Sequence, residues 1–239
     1  MKQNREKRIM DAESQDKRKR DSRKAREAIL DAAEAVFAQH GFAGARIDAI
    51  ANASGYNSGL LFRYFGDKLG LYAEVLKRVD REVDELLAHV FMPLLNDEVT
   101  VSHAPQFRPF LETMIKTFFD YLLEHPRIVS ILTWEMAEGW QMFAKITSQF
   151  PTENSEQFEI FFHKAWMAGL LRSDFIPKIQ FSMIFQICQT YLASLPLYQM
   201  MLSGEDLAAT GHFARARKYL INFIVAGMMS DPDGTKPTI

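Results

Sequence analysis

Apolar residues in the first third of the chain recur at helical spacing and are interrupted by glycine at short intervals. Ile29, Ala32, Ala33, Val36 and Phe37 lie on one helix face, which predicts an amphipathic helix from about Ser22 to His40. Gly41, free to adopt positive φ, ends it. A second, short helix follows from about Ile47 to Ser54 with Ile50 and Ala51 inward, and Gly55 makes the next turn. A third runs to about Tyr64, capped by Asn57 or Ser58, whose side-chain oxygens accept a hydrogen bond from an otherwise orphaned backbone N–H. Gly66-Asp67 opens a fourth helix, with Asp67 as its cap and Leu69, Tyr72, Ala73 and Leu76 inside, extending to about Val90.

Pro93 and the stretch 96–105 read as a break. Beyond it the pattern predicts longer helices over 106–124, 127–147, 154–170, 177–202 and 206–229, bounded by Pro126, Pro151, Pro177 and Gly204. No segment keeps a strand-like alternation, so the fold class is all-α. The organisation expected is a basic disordered arm (1–21), a three-helix helix-turn-helix domain (22–66), a connecting helix (67–92), a larger helical domain (104–230) and a flexible tail (231–239).

Composition adds little until it is split along the chain. With 239 residues, 48% of them apolar and 12% aromatic, burial is not limiting. The net charge of −2 hides an asymmetry: residues 1–26 carry 11 positive and 5 negative groups, residues 81–239 carry 12 and 18. A polyanion such as DNA is attracted to the first region and repelled by the second. Read by themselves, Lys17, Arg18, Lys19, Arg20, Arg23 and Lys24 fit a solvated tail equally well. Cys188 is the only cysteine, which rules out an intrachain disulfide and fits a reducing cytosol, and the first 26 residues contain no apolar signal segment. An intracellular protein is the expectation.

Two short helices joined by a glycine turn, behind a longer scaffold helix and a basic arm, are the minimum that presents one helix to a DNA major groove. Helix pairs of this kind also occur in proteins that never meet DNA, so spacing leaves both readings open. The residues Gly41-Phe42, Arg46-Ile47-Asp48-Ala49-Ile50-Ala51, Gly55, Gly59, Leu61-Phe62-Arg63-Tyr64-Phe65 and Asp67-Lys68 resemble the N-terminal domain of the TetR family of bacterial repressors, over residues 25–80. The resemblance implies that the third helix is the recognition helix, that the fourth leads to a ligand-binding core, and that two C-terminal helices build a dimeric four-helix bundle. It places Asn57, Ser58 and Leu60 against base edges or adjacent backbone, with Arg63 a further candidate, and Tyr64 and Lys68 against phosphates. Three positions depart from the pattern. Arg46 stands where a small capping hydroxyl is usual and suits a phosphate instead; Phe62 replaces a tyrosine; and Leu60 suits a thymine methyl better than a hydrogen bond. Extra backbone or minor-groove contacts are expected from Arg18 to Arg26.

The later helices carry wide apolar stripes, most of which must be core. Glu135 continues the stripe Ile128, Ile131, Leu132 and so puts a carboxylate on a buried face, where it needs a partner or a polar cavity. That predicts a pocket of Met114, Phe118, Trp134, Glu135, Glu138, Phe162 and Trp166 for a small, largely apolar or aromatic ligand, cationic ones included; the competing reading pairs Glu135 with an Arg or Lys and has no cavity. Residues 179–204 contain no Asp, Glu, Lys, Arg or His, yet their glutamines, Ser182, Thr190, Ser194 and Pro196 suit a protein interface better than lipid. Phe181, Ile184, Phe185, Cys188, Leu192 and Leu195 are therefore assigned partly to core and partly to a second subunit, and Phe213, Leu220, Phe223 and Gly227 to the other half of that interface.

The partners expected are thus a palindromic double-stranded DNA operator, a small-molecule effector that releases it, and a second copy of the chain, with no membrane, cofactor or metal. Enzymatic activity is not expected, because the six histidines form no metal spacing and no phosphate-binding glycine loop occurs. The remaining rival is a helical interaction protein whose basic tail meets acidic partners.

Overall fold

The computed structural model describes residues 2–95, 104–149, 153–174, 176–201 and 210–230. These form α1 (Lys2–Gly44), α2 (Ile47–Ser54), α3 (Ser58–Phe65), α4 (Lys68–Leu95), α5 (Ala104–Glu124), α6 (Pro126–Ala137), α7 (Gln141–Ile146), α8 (Glu153–Met167), α9 (Pro177–Ala193), α10 (Leu195–Met201) and α11 (Thr210–Met228). Strand pairing among the described residues is confined to one bridge between Leu171 and Met229. The fold is all-α, with the helix-turn-helix at its N-terminal end.

Several element boundaries move. The arm 1–21, expected to be disordered, is helical from Lys2 and continuous with the scaffold helix. No Pro or Gly occurs between Lys2 and His40, and Lys, Arg, Glu, Gln and Ala dominate, so nothing local stops the helix. The helix expected over 127–147 breaks after Ala137, where Gly139 (φ 72°) and Trp140 (φ 61°) are both left-handed and turn the chain into α7. The helix expected over 177–202 is interrupted at Ser194, separating α9 from α10. α4 runs past Pro93 to Leu95. The proposed flexible tail and the stretch 96–103 lie outside the described residues.

Two apolar cores organise the chain. One gathers Ile29, Leu30 and Phe37 of α1, Ile50 of α2, Leu61 and Phe65 of α3, and Leu71, Tyr72 and Val75 of α4. The other joins α5, α8, α9 and α11 through residues such as Phe107, Leu111, Phe162, Ile184 and Ile224. α6 belongs to the first core although it follows the second core's α5 in the chain. Its Ile128, Ile131 and Leu132 are buried there, and it packs along α1. Phe185 of α9 touches both cores.

Candidate nucleic-acid interface and effector cavity

α3 is held by contacts that leave its outer face clear. Gly55 (φ 76°) ends α2 in a left-handed conformation, and the N–H of Tyr56 closes the turn on the Ala51 carbonyl at 3.2 Å. Asn57 is the N-cap, its Oδ1 accepting from the Leu60 N–H at 2.9 Å. Ser58 donates from Oγ to Asp48 Oδ1 at 3.2 Å, which ties α3 to α2. Leu61 and Phe65 are buried and Leu60 is half-buried against the same core. Phe62, 47% exposed, and Arg63 point away from it. The guanidinium of Arg63 sits 5.6 Å from the Tyr64 ring centroid, and the Tyr64 hydroxyl is 2.9 Å from Ser22 Oγ on α1.

The start of α4 is fixed equally closely. Asp67 Oδ1 accepts from the Gly70 N–H at 2.7 Å, as its capping role predicts. Gly70 itself went unnoticed in the sequence, yet a Cβ there would lie 2.1 Å from the Phe65 carbonyl oxygen. The visible signal was a glycine inside a helical pattern, which marks a close backbone approach. Lys68 reaches back to the Ala43 carbonyl at 3.3 Å with its ammonium 4.7 Å from the Phe42 ring centroid. Burial lowers its pKa, partly offset by the charge of Glu138. Arg46 is exposed, and no side-chain hydrogen bond caps α2 there.

Ion pairs hold α4 to α1. Arg78 bonds Asp31 at 2.6 Å and also Glu34, while Arg26 bonds Glu74. Burial alone would raise the Glu74 carboxyl, but Lys77 and Arg26 outweigh it and hold the group below its ordinary range. Arg26, expected among the arm's DNA contacts, is therefore engaged inside the protein, where it also lies over the Phe65 ring. Lys17, Arg18, Lys19, Arg20, Arg23 and Lys24 are exposed.

A cavity of about 660 Å³ opens between α4, α5, α6, α7 and α9. α4 supplies Leu76, Val79, Asp80 and Val83; the α6–α7 corner and beyond supply Trp140, Phe143, Ala144 and Thr147; α5 gives Phe118 and α9 gives Phe181, Ser182, Phe185 and Gln186. Its size and largely apolar wall with a few polar groups suit a drug-sized organic molecule.

The seven residues expected around a ligand are not brought together. Phe118 lines the cavity, but Met114 and Phe162 are sealed in the second core. Trp134 packs on Gly41 and donates Nε1–H to the Ala38 carbonyl at 3.2 Å. Trp166, 37% exposed, stacks on His163, and Glu138 caps the end of α6. Glu135 is 1% exposed and does find partners, though neither Arg nor Lys: the Tyr72 hydroxyl donates to it at 2.6 Å and the Phe143 N–H at 3.0 Å. The difference traces to α6, which packs along α1 and α9 rather than against α8, and to the break after Ala137 that turns the chain into α7. The residues missed were legible as helical stripes, since 76, 79, 80, 83 and 140, 143, 144, 147 both follow the i, i+3, i+4, i+7 rule.

The expected subunit interface is similarly redistributed. Ile184, Cys188, Leu192 and Leu220 are buried in the chain's own core, Phe181 and Phe185 line the cavity, and Leu195 is half-buried. Burial pushes the Cys188 thiol up to about 12. Phe223 (58%) and Gly227 are exposed, beside Tyr219 at 68%, while the Phe213 side chain lies outside the described residues. α9 adds exposed Ile179 and Met183. Among the described residues no three metal-binding side chains cluster, and no helix is long and apolar enough to cross a membrane.

Known proteins share this arrangement. Residues 29–75 match the model of the bacterial regulatory proteins of the tetR family. The HTH-type transcriptional repressor SCO4008 of Streptomyces coelicolor is 34% identical over 119 residues, covering 50% of this chain and 53% of that one. The HTH-type transcriptional repressor NicS of Pseudomonas putida is 26% identical over 170 residues, covering 70% and 74%. The chain thus spans only about half the length of the first of these relatives. Among solved structures, the transcriptional regulator SCO4942 of Streptomyces coelicolor superposes with a TM-score of 0.59 at 22% identity, over 85% of this chain and 98% of that one. FadR of Bacillus subtilis does so with 0.58 at 15%, over 84% and 98%. The family match falls on α2, α3, the adjoining ends of α1 and α4 and the glycine turns whose geometry is described above, and the fold likeness extends through the helical body: the chain carries a tetR-type N-terminal domain on an all-helical body of the same fold.

Proposed function

We propose that this chain is a repressor that binds a palindromic DNA operator as a homodimer through α3 and is released when a small, largely apolar or aromatic molecule enters the cavity against α4. The observation that carries the reading is the division of α3: Leu61 and Phe65 anchor it, while Phe62 and Arg63 face outward behind the capped start at Asn57 and Ser58. A helix so presented fits a major groove, where Arg63 reads a base and apolar Phe62 and Leu60 meet thymine methyls or sugars. Arg46 and Tyr64 flank it as phosphate contacts. Lys68 joins them only by leaving the Ala43 carbonyl. Repression is supported by the two relatives, both named as repressors.

The dimer is built from the outer faces of α9 and α11, with Met183, Tyr219, Phe223 and Gly227 in the contact. Two recognition helices then read successive major grooves, about 34 to 36 Å apart. Because α4 both walls the cavity and carries the packing of α3, a ligand that shifts α4 changes that spacing.

Selection of binding sites from a randomised duplex pool, followed by fluorescence anisotropy at several salt concentrations, tests the proposal. A selected inverted repeat should bind with steep salt dependence, and Arg63→Ala should weaken it by about 1–3 kcal/mol. No enriched sequence at low salt, or equal binding by Arg63→Ala, rejects it in favour of a helical interaction protein.

A further inference from the structure

We infer that Glu135 is the positioning residue through which occupancy of the cavity reaches the helix-turn-helix, because it holds the cavity wall and α4 at the same time. The inference rests on the reading of the cavity as an effector site. Glu135 makes three ties around one buried point. Its main-chain carbonyl accepts from the Trp140 N–H at 2.7 Å, one carboxylate oxygen accepts from the Phe143 N–H at 3.0 Å, and the other accepts from the Tyr72 hydroxyl at 2.6 Å. Trp140 and Phe143 are cavity-lining residues; Tyr72 belongs to the helix-turn-helix core, its ring 4.8 Å from Phe37 and 5.2 Å from Phe42, centroid to centroid. Next along α6, Trp134 lies over Gly41 and bonds the Ala38 carbonyl. One corner of the chain therefore grips the cavity, α4 and α1.

Such a junction has few intermediate positions. A carboxylate at 1% exposure has no water to replace a lost donor, so displacing α7 alone leaves an oxygen unsatisfied in a low-dielectric interior. The Tyr72 phenol is pushed well above its ordinary range, by burial first and by Glu135 second, and so remains a donor. On the other side, Trp140 sits at φ 61°, a left-handed conformation costly for a residue with a side chain, next to Gly139 at φ 72°. The corner is held in a strained form by the bonds that a ligand pressing on the Trp140 and Phe143 rings would disturb. Movement of α7 then transmits through Glu135 to Tyr72. This route is separate from direct pressure on Leu76, Val79 and Val83 of α4.

The two routes separate by experiment on the full chain, using the neutral fluorophore N-phenyl-1-naphthylamine as the cavity probe and amide hydrogen exchange as the readout. Tyr72→Phe keeps the ring packing and removes one donor. Glu135→Gln keeps both bonds, since its amide oxygen accepts from Phe143 and its amide nitrogen donates to the Tyr72 oxygen. Ala144→Trp fills the cavity. In the parent and in Glu135→Gln, the probe should slow exchange in α7 and α9 and change exchange in 58–65 by at least about fivefold, a typical coupling. In Tyr72→Phe the α7 and α9 response should persist while the change in 58–65 falls away. A response in 58–65 that survives Tyr72→Phe, or is lost in Glu135→Gln, overturns the inference and leaves the cavity intact as a site. Absent protection of α7 and α9 in the parent, or protection undiminished by Ala144→Trp, overturns the effector-site reading and the inference with it.

Discussion

The helix-turn-helix end and the α5–α8–α9–α11 body are both helical and both well buried, yet they are held by different means. In the first, each element is placed by an identifiable polar contact or glycine: the Asn57 cap, the Ser58–Asp48 bond, the Arg78 ion pairs, the close approach at Gly70. The body relies on interleaved aromatics such as Phe107, Phe110 and Phe161, with centroids 4.6 to 6.1 Å apart. A surface that reads one molecular shape needs its helices within fractions of an ångström, and directional contacts supply that. Apolar packing tolerates rearrangement around a variable ligand.

The contrast is broken most sharply by placing the same substitution in both regions. Gly70→Ala forces a methyl group into the Phe65 carbonyl, and should cost about 3 kcal/mol, lowering the melting temperature by roughly 6–12 °C in calorimetry. Gly227→Ala meets no atom within 4 Å in the single chain and should leave melting unchanged or slightly raised, so dimer loss by Gly227→Ala in sedimentation would place it in the subunit contact. Ion pairs offer a second contrast. Arg78→Ala leaves half-buried Glu34 with only the longer Arg127 pair at 3.9 Å and should cost about 2 kcal/mol, whereas Arg108→Ala breaks the exposed Glu112 pair and should stay within about 0.5 kcal/mol; equal losses in urea titrations would refute the distinction. Asn57→Ala should remove about 1 kcal/mol through loss of the cap, visible as faster amide exchange at Leu60.

Near neutral pH the smallest effect comes from the body's buried thiol. Cys188 titrates near 12 in the folded chain against about 8.5 when unfolded, so the unfolded state gives up its proton first as pH rises. The thiol's contribution to stability is complete below about 8.5 and declines as pH climbs from there toward 12. At pH 8, Ellman's reagent should label Cys188 only after denaturant is added; rapid labelling of the native protein would show that the body opens locally.

The same contrast explains which parts were legible in the sequence. α2, α3 and the caps at Asn57 and Asp67 follow from neighbours three or four positions away, so local chemistry specifies them. The cavity depends on α7 folding back against α4 and α9, which turns on Gly139 and Trp140 being left-handed. A glycine in a helical pattern signals such a turn only weakly, and a tryptophan in that conformation not at all. Glu135 shows the boundary: its burial followed from the apolar stripe, but its partners are 63 residues before it and 8 after, one a phenol and one a backbone amide.

By itself, the sequence determined the helical class, the helix-turn-helix and its caps, because period, glycine placement and side-chain capping act within a few residues. Only the tertiary structure decided that α6 joins the N-terminal core, where the cavity lies, and which apolar residues of α9 and α11 remain outside. Those outcomes depend on how distant helices share a limited buried surface, and every apolar stripe carries the same local signature whether it meets another helix, a ligand or a second chain.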